Sequence, residues 1–159
     1  MTLPFTRAPV YPNEGNRRSF IGGSDARIIM GDDEAGLVRL WREKRGEAEP
    51  PDYSDNLVVQ LGVATEPLNR RWYEKTTGQA IKDVQSWVRH PVVRWMAATL
   101  DGVVEGSGAV FEAKFMLPWS FSEEGAAEKY LPQLQILVSV KITTGVQPAG
   151  PIQSGLEPV

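Results

Sequence analysis

The chain has no cysteine and only one histidine, His90, among its 159 residues. Disulfide frameworks, thiolate metal sites and a cysteine nucleophile are therefore excluded, as is a zinc site built from several histidines. Any metal must be held mainly by oxygen, which points to a hard cation, Mg²⁺ or Mn²⁺. Long apolar runs are also missing. No stretch approaches the ~20 apolar residues of a membrane span, and the N-terminal MTLPFTRAPVYPNEGNRRSF lacks the apolar centre of a signal peptide. A cytoplasmic protein without membrane contact is the expectation. Nor is there a large excess of one charge: a formal net charge of -3 gives no global electrostatic argument for a nucleic-acid partner.

What is present fits a soluble globular chain of one domain, with 42% hydrophobic and 23% charged residues. Eleven of the seventeen Lys and Arg fall before residue 81, in clusters such as NRRSF, RLWREKR and NRRWYEK. Taken alone, each cluster reads as a solvated helix face, although a local basic surface beside an acidic pocket is compatible with the pattern.

Residues 1–19, rich in Pro, Asn and Arg, read as an extended arm. FIGGSDARIIMG opens a short helix with Ser24 or Gly23 at its start and Gly31 as its stop. DDEAGLVRLWREKRGE predicts a second helix, with Leu37, Leu40 and Trp41 on one face and its charges ordered as the helix dipole prefers. A third runs from about Asn56 to Thr77, closed by Gly78, with Leu61, Leu68 and Trp72 as core candidates. Pro67 marks either its first turn or a kink. The period then changes. AIKDVQSWVRH, WMAATLDGVVE and AVFEAKF are short apolar runs separated by HP and by EGSG, which predicts a meander of two or three strands. SFSEEGAAEKYLPQLQILVSV reads as helical through YLPQLQ, and residues 141–159 form a Gly, Pro, Ser and Thr tail expected to be disordered. The order of elements predicts an α/β or α+β architecture, with one domain over residues 20–140.

VFEAKF concentrates the chemistry. On a strand Phe111, Ala113 and Phe115 point one way, and Glu112 and Lys114 point the other, side by side. If Asp101 ends the preceding strand, its carboxylate approaches Glu112 across the hairpin. Two carboxylates so placed repel, raising the pKa of one, unless a cation lies between them. A divalent cation there can polarise a phosphate oxygen and lower the pKa of a bound water, and Lys114 can orient that water. Glu66, on the third helix, can supply a further oxygen. Each residue also has a plainer reading. Asp before Gly is ordinarily a turn residue, and a Glu-x-Lys pair on a strand is ordinarily a surface ion pair. Glu66 pairs with Arg70 on a solvated helix, Ser24 caps a helix, and Gln133 and Gln135 mean little alone.

RRSFIGGSDARIIMG, LGVATEPLNRRWYEKTTG, HPVVRWMAATLDG, VFEAKF and YLPQLQ occur in this order between Arg17 and Gln135. Together they resemble the YqaJ-like viral recombinase family, relatives of phage lambda exonuclease among the PD-(D/E)xK nucleases. The resemblance implies a restriction-endonuclease-like core of helices flanking a short mixed sheet. It implies Asp101 and Glu112 as metal ligands, with the backbone carbonyl of Ala113 and water completing the shell, and Lys114 as the catalytic lysine. It further implies Glu66 as the helix glutamate of the acidic cluster, Gln133 as the motif glutamine, with Gln135 its companion, and Arg17 and Ser24 as the contacts of a DNA 5′-phosphate. The activity so implied is Mg²⁺-dependent digestion of one strand of duplex DNA from its 5′ end during phage recombination. Duplex DNA ends, a single-strand annealing protein and a homotrimeric ring are the expected partners, in a bacterial cell carrying a phage or prophage. After Gln135 the sequence departs from the family pattern, as expected of a truncated or frameshifted gene product. A sheet ending near Phe115 is then expected to keep an unpaired edge and an uncovered face. Two other functions fit the same residues: a non-catalytic remnant that binds DNA ends, and a PD-(D/E)xK endonuclease.

Overall fold

The computed structural model describes residues 14–117, 119 and 121–142; residues 1–13 of the expected arm and 143–159 of the expected tail lie outside them. The end of the arm is not extended, because Glu14–Ser19 form a 3-10 helix. Helix α1 (Gly23–Ile29) follows at once. Its N-cap is Gly22, whose N–H donates to the Asp25 carboxylate at 2.8 Å, so Ser24 sits inside the first turn. Helix α2 (Glu34–Arg45) is bounded as its sequence predicts. Asp33 accepts the Gly36 N–H at its start, and Gly46 takes the left-handed conformation at its end. Helix α3 (Leu57–Thr77) begins on Asn56, which accepts from Val58 and Val59, and ends on Gly78. Pro67 lies in its interior, not in its first turn.

Core membership differs from the helical periodicity. Leu40 is buried, but Leu37 and Trp41 are exposed, and the Arg45 guanidinium covers the Trp41 ring at 4.5 Å. On α3 no residue is fully buried, and Leu68 and Trp72 are more than half exposed. Periodicity identifies a face of a helix and says nothing of what lies opposite it.

The expected meander is five short strands in two sheets. Strand β1 (Ile81–Lys82) pairs antiparallel with β4 (Gly102–Val104), and β4 with β5 (Val110–Phe111); the registers are Ile81 with Val104 and Val103 with Val110. Separately, β2 (Ser86–Arg89) pairs antiparallel with β3 (Ala97–Leu100), with Ser86 opposite Leu100. Asp101 is the residue between β3 and β4, where the chain leaves one sheet for the other. Gly102 is required next to it, because a Cβ there would run into the Ile81 side chain. A parallel bridge, Ile21 to Met96, ties the approach to α1 onto the strands.

Helix α4 (Glu123–Ile142) covers this layer. It continues beyond YLPQLQ through ILVSV, and Leu137 and Val140, at 2% and 0% exposure, are among the most deeply buried side chains. Leu137 packs with Ala98, Leu100 and Val103 from the two sheets. Two expectations are thereby corrected. The apolar run after Gln135 is helix and core, with Leu137 packed on residues of both sheets. Residues 141 and 142 belong to α4 and not to the tail.

Candidate active site

One cleft of about 340 Å³ brings together residues from opposite ends of the chain: Arg17 and Ser24, then Asp101, Glu112 and Lys114, then Gln133. Five of these six stand on, or directly beside, regular elements. Ser24 is on α1, Gln133 is on α4, Asp101 joins β3 to β4, Glu112 immediately follows β5, and Arg17 is on the 3-10 helix. Lys114 follows in a segment outside the regular elements.

The acids are held from several sides. Asp101 Oδ2 accepts the Ala113 N–H at 2.9 Å, which fixes the first carboxylate beside the backbone that carries the second. Glu112 Oε1 accepts from Lys114 Nζ at 2.5 Å and from Gln133 Nε2 at 2.7 Å. The other oxygen, Glu112 Oε2, is buried without a hydrogen-bond partner. Lys114 Nζ also lies 5.4 Å from the centre of the Tyr130 ring, a cation–π distance. Glu66 does not line the cleft. Its Oε1 accepts from Gln85 Nε2 at 2.6 Å, and Gln85 does line it. The expected helical partner of Glu66, Arg70, acts on it only through its charge.

Burial pushes the Asp101 acid up to about 6, aided by the Glu112 charge and opposed by the Ala113 N–H and by Lys114. Burial also raises Glu112, against the opposing effect of Lys114, and raises Glu66, with the Asp101 charge adding to it. Three carboxylates therefore share one field, and each makes the charged form of a neighbour harder to hold.

Such a set suits a hard cation. Its donors are carboxylate oxygens, and the unpartnered Glu112 Oε2 is a desolvated acceptor that a cation would satisfy. Among the described residues no three acidic, histidine or cysteine groups converge closely enough to hold an ion by themselves. Asp101 and Glu112 thus fit a cation that keeps several of its own waters, as Mg²⁺ does.

Arg17 and Ser24 also line the cleft, and Arg17 Nη2 lies 3.5 Å from Ser24 Oγ. Ala113 joins the site through its N–H, and Gln135 is exposed on α4, away from the cleft lining. Sequence reasoning missed Gln85, Trp87 and Gly23. Gln85 holds a left-handed backbone, φ 56°, which is costly for a residue with a side chain and places its amide on Glu66. Gly23 lets α1 approach α4, since a Cβ there would sit 2.8 Å from Gln133 Cγ. Only GG in the sequence hinted at that approach; nothing marked Gln85 or Trp87.

The family model for the YqaJ-like viral recombinase domain matches residues 14–147, so the likeness runs through and beyond ILVSV. An uncharacterised protein of Bacillus subtilis strain 168, YqaJ, is 29% identical over 128 residues, covering 78% of this chain and 40% of that protein. The chain thus spans about two fifths of the length of this curated relative. Among solved structures, the alkaline exonuclease LHK-Exo of Laribacter hongkongensis superposes with a TM-score of 0.63 at 21% identity, over 84% of this chain and 68% of that one. The same enzyme in complex with dAMP gives 0.63 at 20% identity, over 80% and 66%. Among the described residues no helix is long and apolar enough to cross a membrane. With a mixed α/β fold shared with an alkaline exonuclease and a family match over most of its length, the chain belongs to the YqaJ-like viral recombinases.

Proposed function

We propose that this chain carries the phosphodiester-hydrolysing site of a divalent-metal-dependent exonuclease, which degrades duplex DNA from its 5′ end in phage-type recombination. The observation that carries this reading is the buried pair Asp101 and Glu112, with Lys114 on Glu112, in a cleft that also contains Arg17 and Ser24. When bound, Mg²⁺ or Mn²⁺ supplies Lewis-acid polarisation of the scissile phosphate and a more acidic water. Asp101 and Glu112 would hold that cation, with the Ala113 backbone as a further donor. Gln133 and Lys114 fix the Glu112 carboxylate, and Lys114 orients the attacking water and offsets charge building on the phosphate. Glu66, held by Gln85, would add negative charge to the field of the acid pair. Arg17 and Ser24 receive the 5′-phosphate through charge-assisted hydrogen bonds. A 3′ overhang left by such digestion is the substrate of a single-strand annealing protein.

Incubation of the purified chain with Mg²⁺ and linear duplexes, with or without 5′-phosphates, alongside closed circles, tests the reading. Release of mononucleotides, faster from phosphorylated ends and with circles spared, is expected. Cutting of circles would instead select an endonuclease. Saturable end binding without product, in a folded sample, would mark a remnant that binds DNA ends only.

A further inference from the structure

Lys44 departs from the solvated helix face that RLWREKR predicts. Its side chain is 18% exposed, and its ammonium donates to Arg17 O at 2.8 Å, Phe20 O at 2.8 Å and Asp25 Oδ2 at 2.6 Å. An ammonium has three protons, and all three are used. Two of the acceptors are carbonyls at the end of the 3-10 helix and just after it, where backbone acceptors lack helical partners. Asp25 is 3% exposed, and its Oδ2 also takes the Gly22 N–H. The ammonium lies 5.5 Å from the Phe20 ring, which lines the cleft and meets Trp87 edge-on at 6.1 Å. Lys44 itself does not line the cleft.

The electrostatics matter as much as the anchoring. Asp25 Oδ1 lies 3.8 Å from the Arg17 guanidinium, close enough to orient it but too far to hydrogen-bond it. A buried carboxylate without another partner would draw Arg17 into a direct pair and cancel its charge. With Lys44 against its other oxygen, Asp25 is already compensated, and the trio keeps one net positive charge, at Arg17.

We propose that the Asp25 and Lys44 pair positions the 5′-phosphate contact: Lys44 compensates Asp25, and so keeps the Arg17 charge available to an anion. This rests on Arg17 and Ser24 being that contact. Asp25 and Lys44 do not line the cleft and reach a DNA end through the backbone and charge they set around Arg17 and the start of α1, so their signature is discrimination between DNA ends, not a general loss of binding.

Fluorescence anisotropy with the full chain and a short labelled duplex, carrying either a 5′-phosphate or a 5′-hydroxyl, reads this as a ratio of two dissociation constants. The wild type should favour the phosphate by about tenfold or more. Lys44→Met should remove most of that preference and leave hydroxyl-end binding within about twofold. Adding Asp25→Asn to Lys44→Met should restore the preference, because it removes the charge that captures Arg17. A purely structural role would weaken both ends and worsen in the double variant. Lys44→Gln, which removes the charge while an amide keeps two of the three donors on a shorter side chain, carries the test if Lys44→Met proves unfolded by circular dichroism. A preference unchanged by loss of the Lys44 charge, or not restored in a folded double variant, overturns the inference alone. A wild type with no preference overturns the Arg17 and Ser24 reading together with it.

Discussion

Replacing Asp101 by asparagine should stabilise the cation-free fold at neutral pH, although substituting a buried, hydrogen-bonded residue ordinarily destabilises. Burial and the neighbouring Glu112 push the Asp101 acid from its ordinary 3.8 up to about 6. That displacement corresponds to about 3 kcal/mol of preference for the protonated form. The unfolded chain releases this proton near 3.8 and the folded chain near 6, so between those values the folded state binds more protons. Stability from this group is therefore fully present below the unfolded value and is lost as pH rises through about 6. Glu112 and Glu66 are raised as well and act in the same direction. Asparagine keeps an oxygen for the Ala113 N–H and carries no charge, so its cost is the weakening of one charge-assisted hydrogen bond, about 1 kcal/mol. The balance is a gain of roughly 2 kcal/mol at about pH 7.5 and none at about pH 4. Urea unfolding of both proteins in EDTA at these two pH values measures it. Excess Mg²⁺ should then close the gap at the higher pH by stabilising the wild type alone. A variant no more stable than wild type at the higher pH, with equal denaturant slopes, would refute the reasoning, since the carboxylate would then not be held against its own charge.

Three further outcomes follow from the same geometry. Lys114→Ala should lower the rate of mononucleotide release by about 10²-fold or more with the thermal unfolding transition intact, because the group that contacts Glu112 and orients water is gone. Leu137→Ala, in the middle of ILVSV, should cost about 2–5 kcal/mol in urea unfolding, because Leu137 is 2% exposed against Ala98, Leu100 and Val103. If ILVSV were only a tail, the variant would unfold like the wild type. Gly23→Ala should push Gln133 away from Glu112, since the added Cβ meets Gln133 Cγ at 2.8 Å; a tenfold slower digestion, roughly the worth of one charge-assisted hydrogen bond, is expected. Digestion at the wild-type rate would show that Gln133 does not act through Glu112.

Local chemistry explains which parts of the fold were legible. The ends of α2 and α3 follow from Asp33, Gly46, Asn56 and Gly78, each acting on backbone within a few residues of itself. Asp101, Glu112 and Lys114 stood out as charges inside apolar runs, but each had a plain explanation, and it was the resemblance of five ordered motifs that singled them out; the fold brings all three to one cleft. Interior packing was not legible in the same way. Leu68 and Trp72 form a credible helical stripe, yet α3 has nothing buried along its length. The approach of Asp101 to the Glu112 segment was expected from the hairpin and is seen in its bond to the Ala113 N–H, whereas the division of the strands into two sheets at Asp101 had no local signal. Likewise, the Gln85 contact with Glu66 depends on a backbone conformation that glycine or asparagine would have announced and glutamine does not.

The same arrangement bears on how a chain of net charge -3 would engage DNA. Asp101, Glu112 and Glu66 together oppose a phosphate at the acidic side of the cleft, and Lys114 is already paired with Glu112. Arg17, whose neighbouring Asp25 is neutralised by Lys44, can attract a phosphate without any cation in place. DNA affinity before cation binding would therefore reside mainly in the end contact. A cation between Asp101 and Glu112 would reverse the sign of the field where the scissile phosphate must lie. Cation and DNA are then coupled ligands, each strengthening the other by the same factor, because a coupling free energy between two bound ligands is reciprocal. On the proposed reading, an acidic protein would need no broad basic surface to hold a DNA end: the Arg17 guanidinium and one cation on the acid pair would place positive charge at the end phosphate and at the scissile phosphate.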